Sequence, residues 1–263
     1  MADPLGFLVA RPRGGGSGSG AAEPVGCISA VRHGCAHGFV GFFIVAPPWR
    51  RRGEGRRLWA AALARLAGRA VALDAVGAQA PCYARDGFRA VWRTARWTGV
   101  PRLPALLPAA ATPALLDARD VPFDELVALD ARASGLGAPR PALLAAWLAA
   151  PGHTSVAARA LGGALCGLGV RRRASAGLHR IAPLLADSPE ALAALVRALC
   201  APLPRGDGIA WDAPNAHPHA AAMAAAMGLR HGGELVHMHR PAPAAPGEQP
   251  PPPPAAPLSL ELG

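Results

Sequence analysis

Between an apolar run, FFIVA (42–46), and an apolar helical pattern, LWAAAL (58–63), lies the segment PPWRRRGEGRR. Arginines at 50–52, 56 and 57 surround glycines at 53 and 55. Glycine lets a backbone approach oxygen atoms closely and tolerates positive φ, while a helix start presents unpaired N–H groups. Arginine side chains add charge-assisted contacts. A strand–loop–helix corner of this composition suits a pyrophosphate. A Walker A loop is excluded, because it needs lysine and all 27 basic residues here are arginine. A dinucleotide fingerprint fails at its third glycine, where Leu58 stands. The spacing that remains is Arg-x-x-Gly-x-Gly, Arg50 to Gly55.

Other reactive side chains are sparse. Tyr83 is the single tyrosine of the chain. HGCAH (33–37) with Cys27 invites a zinc reading, but a tight turn between strands crowds its ligands, so turn residues are expected and no metal. HMHR (237–240) reads as alternating residues of an edge strand. The five cysteines are scattered without a CxxC pair, as expected of reduced thiols in a cytoplasm. No signal peptide and no apolar run of membrane-spanning length is visible, so a cytoplasmic protein without membrane contact is expected. The formal charge of +10 is spread along the chain rather than gathered in a stripe, so nucleic acid is not the expected partner.

The elements that must hold these residues repeat. Strands are expected at 5–10, 25–31 and 37–45, a helix at 55–66 and a strand at 70–76. A short helix from Pro81 to Gly87 and two strands near 88–91 and 93–98 follow. Four prolines within 99–113 mark a linker. A second unit shows helices near 122–133 and 140–149 and strands near 154–159 and 164–172. Beyond them come a helix over 189–200, the strand GIAWDAP, a short helix and a closing hairpin in LRHGGELVHMHR. VALDAV and IAWDAP occupy matching places, as in an internal duplication. The tail, 241–263, contains QPPPPPAAP and is expected to be disordered.

VAPPWRRRGEGRRLWAAAL resembles the acetyl-CoA pyrophosphate loop of the GNAT N-acetyltransferases, and LDAVGAQAPCYARDGFRAVWRTARWTG resembles the segment that follows it in that family. The resemblance implies an α/β (α+β) fold, a mixed, mostly antiparallel sheet flanked by helices, duplicated in tandem. Residues 1–99 would be the acetyltransferase domain, 100–113 a linker, 114–240 a degenerate GNAT-like domain, and 241–263 the tail.

By position, the resemblance implies that Arg50, Arg51, Arg52, Gly53, Glu54, Gly55 and Arg56 hold the pyrophosphate of acetyl-CoA. It implies that the Val45 amide meets the thioester carbonyl and that Tyr83 is the general acid. The acceptor would be a primary amine of a small molecule or peptide; a CoA-binding protein without turnover is the alternative. Candidate bases are His33, His37, Asp74, Asp187 and Asp212, while Arg140, Asp187, Asp212 and Asn215 are candidate acceptor-lining residues. DPLGFLVA matches the second strand of such a domain, so its first strand and two helices have no counterpart. The sheet face they would cover is therefore expected to self-associate or to meet the second domain.

Overall fold

A computed structural model describes residues 3–12, 23–103, 112–136, 138–243, 253–254 and 256–257. The Gly/Ser stretch 13–22, most of the expected linker and much of the tail lie outside the described residues.

The first half runs β1 (Phe7–Ala10), β2 (Gly26–His33), β3 (His37–Val45), α1 (Glu54–Arg65), β4 (Ala70–Val76), α2 (Ala80–Ala84) and β5 (Arg89–Gly99). The second runs β6 (Ala114–Asp117), α3 (Phe123–Ala133), α4 (Pro141–Leu148), β7 (Thr154–Arg159), β8 (Leu165–Ser175) and β9 (Leu178–Ala186). It closes with α5 (Pro189–Cys200), β10 (Gly208–Pro214), α6 (Ala220–Ala226) and β11 (Arg230–Arg240). Among the described residues these strands form one sheet, ordered β1-β2-β3-β4-β11-β5-β10-β9-β8-β7-β6. Only β3 with β4 and β9 with β10 pair in parallel; the other neighbours are antiparallel.

That order corrects the two strands expected near 88–91 and 93–98 and the hairpin expected at 229–240. Each segment is a single long strand, and the halves trade them: β11 enters between β4 and β5, and β5 pairs with β10. WRTARW has no residue that favours a tight reversal, and Gly232–Gly233 lies in a register shift of β11 against β5 rather than in a turn. The expected boundary at residues 100–113 therefore separates two segments of chain whose strands share one sheet.

Leu58, Ala62 and Leu66 lie on one stripe of α1 and pack on Ile28, Val40, Val71 and Leu73. In the second half α5 and α6 cover Ile181, Ile209 and Trp211, and α3 and α4 cover Leu168, Val170 and Leu185 on the opposite face. The first half has no such helix pair among the described residues. Ser134, Leu136, Pro254 and Pro257 border that face beside Phe39 and Trp92. Toward the β1 edge, Phe7, Val9, Phe42, Ile44 and Val76 remain exposed.

Candidate active site

Pairing of β3 with β4 stops at Val40 opposite Leu73, and the two strands then part. The cause lies in β3. Ser29 of β2 faces Gly41 and Cys27 faces Ile44, so a bulge is set at Phe42–Phe43, and Phe42 adopts φ +46°. The Cys27 thiol donates to the Phe42 carbonyl at 3.3 Å. Past the bulge, the Ala46 N–H donates to Val25 O of the chain leading into β2, at 2.9 Å. Strand alternation then directs the Val45 N–H the other way, into the gap.

The arginine loop sits at the mouth of this gap. Arg50 Nε donates to Val45 O at 3.0 Å and ties the loop to the strand end. Arg51 has φ +61° and Gly53 φ +91°, and Gly53 is the N-cap of α1 with no side-chain cap bond. The first amides of α1 are thus left for an external acceptor. A Cβ on Gly53 would meet nothing within 4 Å, so the cradle is open on that side. On Gly55 it would lie 3.5 Å from Val45 Cγ2 and 3.6 Å from Phe43 Cζ, an ordinary contact that brings α1 close to β3. Arg51, Arg52 and Arg56 are exposed, Arg52 over the Trp49 ring, and Glu54 pairs with Arg57 at 3.2 Å.

Tyr83 lies on α2, which follows the end of β4. Its ring packs at 5.1 Å from Trp59, which stacks on Phe43 at 5.8 Å and donates its indole N–H to Asp86 at 2.9 Å. Burial, and secondarily Cys82, push the Tyr83 hydroxyl above its ordinary pKa of 10.0. It therefore holds its proton at neutral pH and makes no hydrogen bond to a described residue.

The second half repeats this corner and closes it. β9 pairs with β10 over Leu178–Ile181 and diverges at the same relative place, after a register shift against β8. There the Leu184 N–H donates to Ala256 O at 3.0 Å, and the Ala256 N–H donates to Leu184 O at 2.9 Å. Pro254 and Ala256 are buried, which corrects the expectation of a wholly disordered tail for these residues. The start of α5 is occupied as well: Ser188 caps the Ala191 N–H at 3.1 Å, and Asp187 pairs with Arg132 at 2.6 Å.

The expected acceptor residues do not converge. Arg140 makes a buried bidentate pair with Asp130, at 2.8 and 3.0 Å, with both side chains 1% exposed. Its expected place in an acceptor pocket is thereby corrected. Asp187 is held at α5 as above. Asp212 is gripped by Arg96 at 2.7 and 3.0 Å and by Arg180. Asn215 Oδ1 accepts from the Arg93 N–H at 3.0 Å, so it fastens β5 to the end of β10. Of the candidate bases, His33 is buried and His37 begins β3 away from the splay. Asp74 follows the last paired residue of β4 and bonds His237 Nδ1 at 2.9 Å.

Sequence reasoning missed His237, because HMHR reads as part of an edge strand whereas β11 is central. The matched aspartates in VALDAV and IAWDAP were the available signal. Among the described residues no three metal-ligating side chains converge, and no helix is long and apolar enough to cross a membrane.

Both halves match one family description. Residues 19–104 and 126–250 each match an acetyltransferase (GNAT) domain. The chain belongs to the GNAT acetyltransferases. It is 28% identical over 193 residues to holothin acyltransferase of Pseudoalteromonas sp. (strain SANK 73390), across 73% of this chain and 63% of that protein. The chain thus spans less than two thirds of that relative's length. A putative acetyltransferase from Pyrococcus horikoshii superposes with TM-score 0.71 at 18% identity, over 92% of this chain and 77% of that one. A tandem GNAT protein from the clavulanic acid biosynthesis pathway gives 0.59 at 18% identity, over 92% and 85%. Those two likenesses concern the fold.

Proposed function

We propose that this GNAT protein transfers an acetyl group from acetyl-CoA to a primary amine, using the open corner of its first half. The observation that carries the reading is the splay of β3 from β4 with an uncapped, glycine-started helix at its mouth. The residues fit the cosubstrate. Amides from Arg51 to Arg56 and the positive end of α1 bind the pyrophosphate, with Arg51, Arg52 and Arg56 adding charge. Arg50 acts indirectly, by fixing the loop to Val45. The bound thioester supplies an activated acyl carbon.

Val45 donates its N–H to the carbonyl oxygen as negative charge develops there. Tyr83 holds a proton at its hydroxyl for the departing sulfur, and its raised pKa keeps that proton available. Trp59 and Phe88 pack on the Tyr83 ring, and Phe43 stacks on Trp59 behind it. The relative's name as an acyltransferase supports the reaction class. The exposed strip from Phe7 to Val76 supports self-association of the chain. The domain with the open corner works in a cytoplasm, where acetyl-CoA is available.

Calorimetry with acetyl-CoA, followed by release of CoA thiol in the presence of primary amines, is the test. One site per chain and amine-dependent release are expected; binding without release would leave a CoA-binding protein.

A further inference from the structure

The two halves carry an aspartate at the same place. Asp74 follows the parallel pairing of His37–Val40 with Ala70–Leu73, and Asp212 follows that of Leu178–Ile181 with Gly208–Trp211. Their cross-strand partners are also equivalent. His237 of the exchanged strand β11 stands opposite Asp74, and Arg96 of the exchanged strand β5 stands opposite Asp212. In the half closed by Ala256, two guanidinium groups neutralise the carboxylate, and neither can take up a proton. In the half whose corner is open, the partner is an imidazole, which can.

The geometry around that imidazole suits proton transfer. An ionised carboxylate only accepts, so the Nδ1 of neutral His237 carries the hydrogen that meets Asp74 Oδ1 at 2.9 Å. The lone pair is then on Nε2, which bonds no described residue. Trp92 stacks on the ring at 4.1 Å and 2°, holding its plane. A cavity of about 20 Å³ adjoins the pair at the vertex of the splay. That is room for one water, with Thr94 and Ser134 as further polar neighbours. Lining the same cavity as His237 are Asp74 of β4, Phe39 of β3, Trp92 and Thr94 of β5, Pro214 of β10, Ser134 after α3, and Pro254 of the tail. Asp74 is the one charged group among them.

We propose that His237 is the general base of the first half, positioned by Asp74. The inference rests on the acetyl-transfer reading above. The amine lone pair forms the C–N bond while the C–S bond breaks and its electron pair goes to sulfur. The proton lost from the amine passes through one water to His237 Nε2, and the sulfur takes the Tyr83 proton. His237 and Tyr83 return to their starting states by exchanging protons with solvent.

Two measurements test it. The imidazole ¹⁵N spectrum of the protein without acetyl-CoA is expected to show His237 with hydrogen on Nδ1; hydrogen on Nε2 overturns the proposal. Turnover is then read by thiol release with n-butylamine, phenethylamine and glycylglycine as probes. His237→Gln is expected to bind acetyl-CoA within about twofold of wild type and to lose roughly 10²–10³-fold in kcat. Its rate should recover toward high pH, where the amine loses its proton unaided, and a purely structural role would not produce that recovery. Asp74→Asn, should the Gln variant fail to fold, is expected to show a smaller loss of the same kind. Wild-type turnover matched by the variants overturns the base alone. A wild type that binds no acetyl-CoA, or acetylates none of the probes, overturns the underlying reading and the base with it.

Discussion

Leu184 and Ala256 exchange both of their backbone hydrogen bonds, so one residue of the tail completes β9 where its parallel partner has diverged. The equivalent stretch of β3 is open. Removing residues 253–263 is therefore expected to lower stability by about 2 kcal/mol for two lost hydrogen bonds. That corresponds to a fall in Tm of roughly 4–8 °C for a chain of this size. Acetyl-CoA stoichiometry should stay at one per chain, because Ser188 still caps α5. Thermal unfolding and calorimetry on the truncated protein check both statements, and a second bound equivalent would show that the tail alone closes that corner.

Gly53 is left-handed and faces open space, so substitution acts on backbone conformation and on ligand approach rather than on packing. Gly53→Val is expected to remain folded, with a strain of about 1–2 kcal/mol. Its acetyl-CoA Kd should rise more than tenfold. Equal affinity in a folded variant would remove the loop from the binding site.

Tyr83→Phe should reduce kcat by roughly 10²-fold or more while leaving acetyl-CoA affinity nearly unchanged. Burial raises the hydroxyl pKa, so the group is protonated through neutrality and loses its proton only above pH 10. Wild-type turnover should accordingly fall on an alkaline limb that lies above pH 10, and the Phe variant should lack that limb. A pH–rate series on both proteins decides the matter.

Arg140 serves the fold. Replacing it with methionine strands the Asp130 carboxylate at 1% exposure, a loss of about 3–5 kcal/mol. A Tm drop on the order of 10 °C is expected by thermal scan. Acetyl-CoA affinity below the transition should be unchanged.

The corner built from β3, the arginine loop and α1 was legible because it is local. Glycine spacing, an apolar strand and a helical stripe all lie within residues 37–66. The partners of Asp74 and Asp212 were not legible, since they depend on which distant strand arrives beside β4 or β10. HGGELVHMHR reads the same at an edge or at the centre of a sheet, and its glycines suggested a turn where the strand only shifts register. The tail misled for a related reason. Proline content forecasts an extended, unpaired chain, yet alanines between prolines keep N–H groups, and Ala256 uses its own on Leu184.

The exchange of β5 and β11 also sets an order on birth. A chain leaving the ribosome exposes the β4 edge at Val76 and waits about 150 residues, or roughly 10–30 s, before β11 emerges to cover it. Until then β4 offers a bare row of amide and carbonyl groups to any neighbouring nascent strand. Two truncated pieces cut between the halves would each carry a strand that belongs in the other's sheet. The contact between Asp74 and His237 thus forms only once β11 has been made, so no product that stops short of β11 contains it.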